Sequence, residues 1–494
     1  MFSSLAIAAM LAAAATAAER FVTPGGTPHG DGSQARPWDL ATALAERDRL
    51  GPGDTVWLGG GTYRGPFRKS AQPSGTAERP IIYRAMPGQR VTLTAKDDDR
   101  SVLEIAGAEH VWFWGLEVTV GGRPELGHYG AGISLRGGRE IKLINLVVHD
   151  CPNRSGIAGS NLGSEFYGCL IYRNGQWANA LAHGTYTQNR PEDVGGDPDK
   201  LPWKIHRDCA VFQNFGWGVH SYGTSPRLAN LLYEGVVAYG NGLPAGAAQP
   251  CPNLLAGGRK PSDNVVLRHC STYYPERGNF KRGTDLGLSA ENGRLTVQDC
   301  CFVGGQDALW LRKWQQASVT GCRFLTANGC ALRLIRPAGY QPARYHFADN
   351  IYYKLASPPF GLDDAAIEDL AAWQSATGLD QSSRTIAGRP GEPWVFLRPN
   401  RYEPERALLA VYNWPRTAEV EVPLGRLWGL KPSQGYRVHN VEDIWAKPVA
   451  EGRFSADPAR LKMVGAYAPE FACYLLLLDA DSTPNKQSTK GKSP

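Results

Sequence analysis

Beyond its opening segment, MFSSLAIAAMLAAAATAAER, this chain of 494 residues lacks any apolar run approaching the roughly 18 residues of a membrane span. Charge is thin, at 20% of residues, and the basic side chains are scattered rather than striped, which excludes a nucleic-acid module. No CxxC pair or His/Cys spacing suggests zinc, so no metal site is expected from the ten cysteines. Long apolar stretches at 3.6-residue spacing are also missing, and that excludes a solenoid of stacked helices.

What the chain has in quantity is turn residues, 57 Gly and 35 Pro, together with a phrase that returns. It reads WGLEVT at Gly115, INLVVHD at Asn145, GCLIYRNG at Cys169, DCAVFQNFG at Cys209, EGVVAYGNG at Val236, HCSTYY at Cys270, DCCFVGG at Cys300, GCRFLT at Cys322 and DNIYY at Asn350. The steps are 30, 24, 40, 27, 34, 30, 22 and 28 residues. One short β-rich phrase per repeat marks a stacked coil of strands. The fold class is therefore all-β: a parallel β-helix.

The opening segment ends in small residues, with Ala15-Thr16-Ala17 as an A-x-A cleavage site, and reads as a secretory signal over residues 1–18. A secreted or periplasmic protein is expected. In exported proteins cysteines commonly pair, yet Cys169, Cys209, Cys270, Cys300 and Cys322 share one position of the repeat. Equivalent residues of adjacent coils lie about 4.8 Å apart, so these five are predicted to form an inward column. A bridge among Cys151, Cys251, Cys301, Cys330 and Cys473 is left open.

The β-helix domain is expected over 19–354, beginning with a capping helix near Pro37–Arg49 that covers the open end of the first coil. Asp363–Gly378 reads as a second helix, acidic at its start and stopped by Gly, within a cap or linker over 355–392. From 393 to 478 the segments WVFLRPN, RALLAVYNW, AEVEVPLG, YRVHNVEDIW and FACYLLLL alternate like a small antiparallel β-sandwich of accessory role. The polar, basic residues 479–494 are expected to be disordered.

The opening strings VTPGGTPHGDG and PGDTVWLGGGTYRG resemble those of secreted right-handed β-helix proteins of the pectate-lyase-like superfold, including the chondroitinase-B/alginate-lyase type of polysaccharide lyase. HGTYTQN, NFGWGVHSYG, WQSATGLDQSS and VYNW resemble one subgroup of them. The resemblance implies a carbohydrate-active protein and a right-handed parallel β-helix. The Lys and Arg signature strings of those lyases are absent, so none of their catalytic residues carries over.

A second strand follows each phrase: GISLRG from Gly132, GIAGSN from Gly156, GTYTQN from Gly184, GVHSYG from Gly218, NLLAGG from Asn253, LGLSAE from Leu286, ALWLRK from Ala308 and ALRLIR from Ala331. With Ile133, Ile157, Thr185, Val219 and Leu254 inward, the outward neighbours are Ser134, Ala158, Tyr186, His220 and Leu255. Two residues further on come Arg136, Ser160, Gln188, Tyr222 and Gly257, and Trp310, Arg312 and Arg333 share the face. Tyr186 is thus predicted beside His220 and Gln188 beside Tyr222, with His183 and Trp217 at the strand entrances. Insertions at Arg190–Pro202 and Leu243–Pro252 supply walls.

Those residues equip the face for proton transfer, although a plain polar ladder would use some of the same side chains. In a lyase acting on a uronate polymer, either Tyr186 or His220 would be the base and the other the acid, while Gln188, Arg136 or Arg312 binds the carboxylate. A glycoside hydrolase requires two carboxylates instead. Asp285 and Asp307 are the candidates, with Glu291 and Glu234 nearby, and turn capping is their alternative use. A non-catalytic carbohydrate-binding protein would stack sugars on Trp310, Trp314 and Tyr222. The string PEDVGGDPDK offers Asp193, Asp197 and Asp199 to Ca²⁺ without EF-hand spacing. The expected partner is a polysaccharide or oligosaccharide. A formal charge of +6 is compatible with an acidic one without demanding it, and oligomeric state is not readable.

Overall fold

The computed structural model describes residues 17–96, 100–120, 130–152, 154–176, 181–243, 251–276, 282–355, 358–455 and 458–479. The opening apolar run, the 244–250 part of the second insertion and the basic tail lie outside them. Among the described residues no helix is long and apolar enough to cross a membrane.

Three sheets of twelve strands run the length of the stack, and together they form a parallel β-helix. One coil shows the plan: Lys142–Ile144 lies in the first sheet, Val147–His149 in the second and Arg154–Gly159 in the third. The recurring phrase is the corner between the first two sheets. Its leading residue is Gly115, Asn145, Gly168, Asp208, Gly235, His269, Asp299, Gly321 or Asp349, each at a φ of 51–70°. Gly, Asn and Asp tolerate that left-handed backbone best, which explains the small or polar start of each phrase.

The residue after the corner points inward. This column reads Leu116, Leu146, Cys169, Cys209, Val236, Cys270, Cys300, Cys322 and Asn350, all buried. Two details of the expected register are corrected. Gly115 and Asn145 are the corner residues themselves, so the column passes through their successors. Val236 also splits the cysteines into a pair and a triplet; within the triplet the Cys270 amide donates to Cys300 Sγ at 3.4 Å. All ten cysteines are buried, and none is joined to another by a disulfide.

At the next corner, the Asn174, Asn214, Asn241 and Asn253 side chains form a ladder. Each of the first three donates through Nδ2 to the following Oδ1, at 3.0, 2.9 and 2.9 Å. The sequence carries this device as a repeated aromatic-x-Asn: Tyr172-Arg-Asn174, Phe212-Gln-Asn214 and Tyr239-Gly-Asn241.

Both ends are plugged. The first helix is only Leu40–Ala45, shorter than expected, because Asp39 caps it and Glu46 already returns to extended backbone. It buries Leu40, Ala43 and Leu44. The second helix is Leu370–Thr377. The acidic residues ahead of it are no first turn: Asp363 and Asp364 turn a hairpin that lays Ala365–Ile367 antiparallel on Phe360–Leu362. Trp373 of this helix stacks on Phe360 at 5.0 Å and donates to buried Asp380 at 2.9 Å, closing the end of the core. The strand Arg384–Ala387 then rejoins the second sheet beside Ile351–Lys354.

The last segment forms a five-stranded antiparallel sheet of Trp394–Pro399, Arg406–Tyr412, Gly435–Asn440, Ala450–Arg453 and Phe471–Leu478. A two-stranded sheet, Glu419–Val422 with Ala459–Lys462, covers one face around Leu409, Val411, Val422 and Leu476. The other face packs on the outside of the second sheet, where His149, Tyr172, Phe212 and Tyr239 stack at 4.8–4.9 Å and Phe471 lies against Tyr239 and Tyr273. The outer face of the third sheet is left open by this arrangement, and the candidate residues stand there.

Candidate functional site

A column of small residues at the start of the third-sheet strands sets the register: Gly132, Gly156, Gly184, Gly218, Asn253, Gly283, Ala308 and Ala331. A Cβ at Gly156, Gly184 or Gly218 would stand 2.4–2.8 Å from the carbonyl oxygen of the next coil. From that start Tyr186 pairs with His220, His220 with Leu255, Leu255 with Asp285, Asp285 with Trp310 and Trp310 with Arg333. The strand placed from Leu286 is therefore corrected by three residues, since Gly283 and not Leu286 continues the small column. Asp285 stands in the outward row, whereas Asp307 pairs with Arg282 near the strand start, so the two aspartates are not equivalent.

The open face holds a cleft of about 490 Å³ lined by His183, Tyr186, Trp217, His220, Tyr222 and Arg282, with Leu181, Pro252, Leu255 and Leu288 as its apolar surround. Tyr186 and His220 have ring centroids 5.2 Å apart. His183 meets His220 edge-on at 4.5 Å, and Trp217 and Tyr222 stack on His220 at 4.9 and 5.3 Å. The Trp217 amide donates to His183 Nδ1 at 3.3 Å, which leaves the proton of a neutral imidazole on Nε2. His220 Nδ1 is buried without a protein partner, as is Trp217 Nε1.

Burial pushes His183 down to about 3 and His220 well below the ordinary histidine range; for His220 the proximity of His183 adds to the effect. Both are neutral imidazoles at neutral pH. Burial also raises the Tyr186 phenol, with partial opposition from Thr224, Arg190 and Gln188, so it keeps its proton. Gln188 is held beneath the site. Its Nε2 donates to the Tyr222 carbonyl at 2.7 Å, and its Oε1 accepts from Arg190 Nε at 2.8 Å. The cleft thus presents proton acceptors and a proton donor side by side, with little free charge.

Along the same face from Arg282, three arginines gather on one indole. The guanidinium carbons of Arg312, Arg282 and Arg333 lie 4.1, 4.6 and 5.4 Å from the Trp310 ring. The carboxylates there are engaged. Asp285, fully buried, pairs with Arg282 at 2.7 Å and Arg312 at 3.1 Å. Asp307 pairs with Arg333 at 3.0 Å, takes the Trp310 Nε1 hydrogen bond and accepts from the Cys330 amide at 2.7 Å.

Other named residues stand apart from the cleft lining. Arg136 is on the same face but exposed and tied to Glu104 at 3.3 Å. Glu291 sits on a coil turn against Gln315 at 3.2 Å. Glu234 ends a first-sheet strand, in ion pairs with Arg207 and Arg268 at 3.3 and 3.6 Å. Trp314 is wholly inside the coil, so it offers no stacking face. In the first insertion Asp197 caps the Asp199 amide at 3.0 Å and pairs with Lys200. Among the described residues, no three His, Cys, Asp or Glu side chains gather as metal ligands.

The sequence reading missed Arg282, Leu181 and Leu288. Arg282 was findable: it precedes Gly283, as His183 and Trp217 precede Gly184 and Gly218. Leu181, 60% exposed at the rim, carries no pattern of its own.

No protein-family model matches the chain. A stretch of 135 residues is 30% identical to pectate lyase PEL9 of Emericella nidulans, covering 24% of this chain and 32% of that protein. The match thus spans about a third of the relative's length. Among solved structures, pectate lyase Pel9A aligns at a TM-score of 0.45 and 14% identity over 70% of this chain and 78% of that one. An alginate lyase from Paenibacillus sp. FPU-7 aligns at 0.40 and 14% over 71% and 99%. A lacto-N-biosidase from Eubacterium ramulus aligns at 0.46 and 14% over 75% and 67%. The chain resembles these proteins; the β-helix itself rests on its own three sheets.

Proposed function

We propose that this protein is an exported polysaccharide lyase that cleaves a uronate-containing glycan by β-elimination in the third-sheet cleft. The observation that carries the reading is the Tyr186–His220 pair, a protonated phenol and a neutral imidazole 5.2 Å apart on the floor of an open cleft. The lyase named among the relatives supports the reaction class.

In this reading Arg282 at the cleft edge meets the carboxylate of the sugar, which makes the neighbouring carbon-bound proton acidic. His220 takes that proton. A carboxylate bound nearby raises the basicity of the imidazole, offsetting what burial removed. The carbon–hydrogen electron pair forms the new double bond, the glycosidic carbon–oxygen bond breaks, and the leaving oxygen receives the Tyr186 proton. Transfer of the proton from imidazolium to phenolate resets the site. His183 and Trp217 position His220, while Tyr222 and Gln188 hold the Tyr186 side of the cleft. The C-terminal sandwich takes an accessory role, bracing the second sheet.

A hydrolase built on Asp285 and Asp307 has less support, since both carboxylates are buried and neutralised by arginine. The deciding experiment is a panel of acidic and neutral polysaccharides, followed by ultraviolet absorbance of unsaturated uronate and by reducing ends. Absorbance rising with reducing ends supports elimination. Reducing ends without absorbance establish hydrolysis, and neither signal alongside retained binding leaves a binding protein.

A further inference from the structure

The first sheet carries a second groove that the elimination chemistry does not use. Its volume is about 450 Å³, within the roughly 300–1,000 Å³ of small-ligand sites. Two rows build it. The strand register aligns Trp112, Lys142, Glu165 and Ile205 on successive coils. His110, Glu140, Gly163 and Trp203, each two residues earlier in the chain, also line the groove.

Trp203 is the key residue. Only three large hydrophobic side chains among the described residues are exposed: Leu181, Trp203 and Trp445. Leu181 rims the cleft, and Trp445 covers Arg90 at 4.2 Å and donates to Glu117. Trp203, 37% exposed, lines the groove with no aromatic or cationic group stacked on it among the described residues. Trp112 lines the same groove three coils away, roughly 14 Å along the stack. Lys142 rests on Trp112 at 4.7 Å and is fixed by Glu165 at 3.1 Å and the Tyr402 hydroxyl at 3.0 Å. Glu165 is over nine-tenths buried and shared with Arg207 at 3.6 Å; Glu140 pairs with His110 at 3.1 Å.

Trp203, an open indole beside fixed carboxylates, matches a sugar ring, and Trp112, with Lys142 over it and Tyr402 edge-on, bounds the far end of the groove. Indole faces take the apolar faces of pyranose rings, and ionised carboxylates accept from hydroxyl groups. Charge selects among sugars. Glu165 is already paired with Lys142 and Arg207, and Glu140 with His110, so the one ammonium of the lining is not free for a uronate and a neutral ring is favoured. We propose that this groove binds neutral saccharide units, as a non-catalytic anchor separate from the third-sheet cleft. The insertion that ends at Pro202 links the two sites: it leaves the strand Thr185–Thr187 beside Tyr186 and delivers Trp203 to the strand Lys204–Arg207. A glycan with neutral residues next to acidic ones would be held at both.

The test is titration of the full-length protein with neutral gluco-, galacto-, manno- and xylo-tetrasaccharides, followed by tryptophan fluorescence and calorimetry. At least one should bind in the millimolar range or tighter. Trp203→Ala should weaken it at least about fivefold, a stacking-sized loss, and Glu140→Gln should weaken it too, while turnover of a short acidic oligosaccharide stays at the wild-type level. The Tyr186→Phe protein should bind the neutral sugar normally, so failure of the elimination reading leaves this measurement intact. The proposal is overturned if no neutral sugar binds, if Trp203→Ala binds as wild type, or if only acidic oligosaccharides occupy the groove.

Discussion

Two neighbouring patches of the third sheet use polar residues in opposite ways. Around Trp310, three arginines surround two aspartates, and each carboxylate meets at least one guanidinium within about three ångströms. Around His220 one imidazole nitrogen and one indole N–H are buried without protein partners and without an ion pair. Asp285 Oδ1, Arg282 Nε and Arg312 Nε of the other patch also lack a hydrogen bond but belong to ion-paired side chains. A charge-paired patch has neutralised its buried carboxylates internally and holds coils together. An unsatisfied one keeps polar groups dry and available, a state that costs stability and makes sense where a ligand completes it. On this comparison the chemistry is assigned to Tyr186 and His220, and architecture to Asp285 and Asp307.

The sharpest break in the comparison comes from exchanging roles. Tyr186→Phe removes one hydroxyl, and His220→Ala one imidazole; each should lower turnover by roughly 10²–10⁴-fold with the fold retained, as measured by initial rates and circular dichroism. Asp285→Asn should act first on stability. It leaves Arg282 and Arg312 short of their buried counter-charge, so a loss of about 3–5 kcal/mol in stability is expected by denaturant titration. If Asp285→Asn keeps full stability but abolishes turnover, the two patches have been assigned the wrong way round.

Acid titration probes the unsatisfied patch without mutation. His183 of that patch, and His206 buried on the first-sheet strand Lys204–Arg207, are held neutral down to about 3 by burial, and His220 is shifted the same way by burial and by His183. Below about pH 6.5 the unfolded chain binds protons at these rings that the native chain refuses. Stability is therefore intact above that pH and falls as pH drops from about 6.5 toward about 3, by up to about 1.4 kcal/mol per pH unit for each ring. His183→Gln should flatten the slope by one ring's share in melts taken at successive pH values. An unchanged slope would show that His183 is solvated and free to protonate.

The legibility of the sequence follows the same division. The β-helix was readable because every coil repeats one physical demand, a left-handed corner followed by a small inward residue. The Tyr186–His220 pairing was readable because Gly184 and Gly218 align their strands. Where the repeat drifts, the reading drifted: Asn253 and Ala308 replace the glycine on either side of Gly283, and the strand holding Asp285 was set three residues late. Arg282 and the ion-pairing of both aspartates were lost with it. The first-sheet groove was invisible for another reason, since Trp203 reaches it only through a 40-residue step whose path no periodicity describes.

The smallest expected effect separates fold from chemistry most cleanly. Cys300 sits in the middle of the triplet, with its sulfur accepting from the Cys270 amide at 3.4 Å and facing the Gln298 carbonyl at 3.2 Å. Burial pushes its thiol far above the ordinary range, so it stays protonated and behaves as a compact apolar group. Cys300→Ser keeps the shape but buries a more polar hydroxyl, and about 1–3 kcal/mol of stability should be lost in a denaturant titration. Turnover at temperatures below the melt should not change, because the column lies at the opposite corner of the coil from Tyr186 and His220. A variant that melted normally but lost turnover would tie the cysteine column to the site, and the line drawn here between scaffold and cleft would have to move.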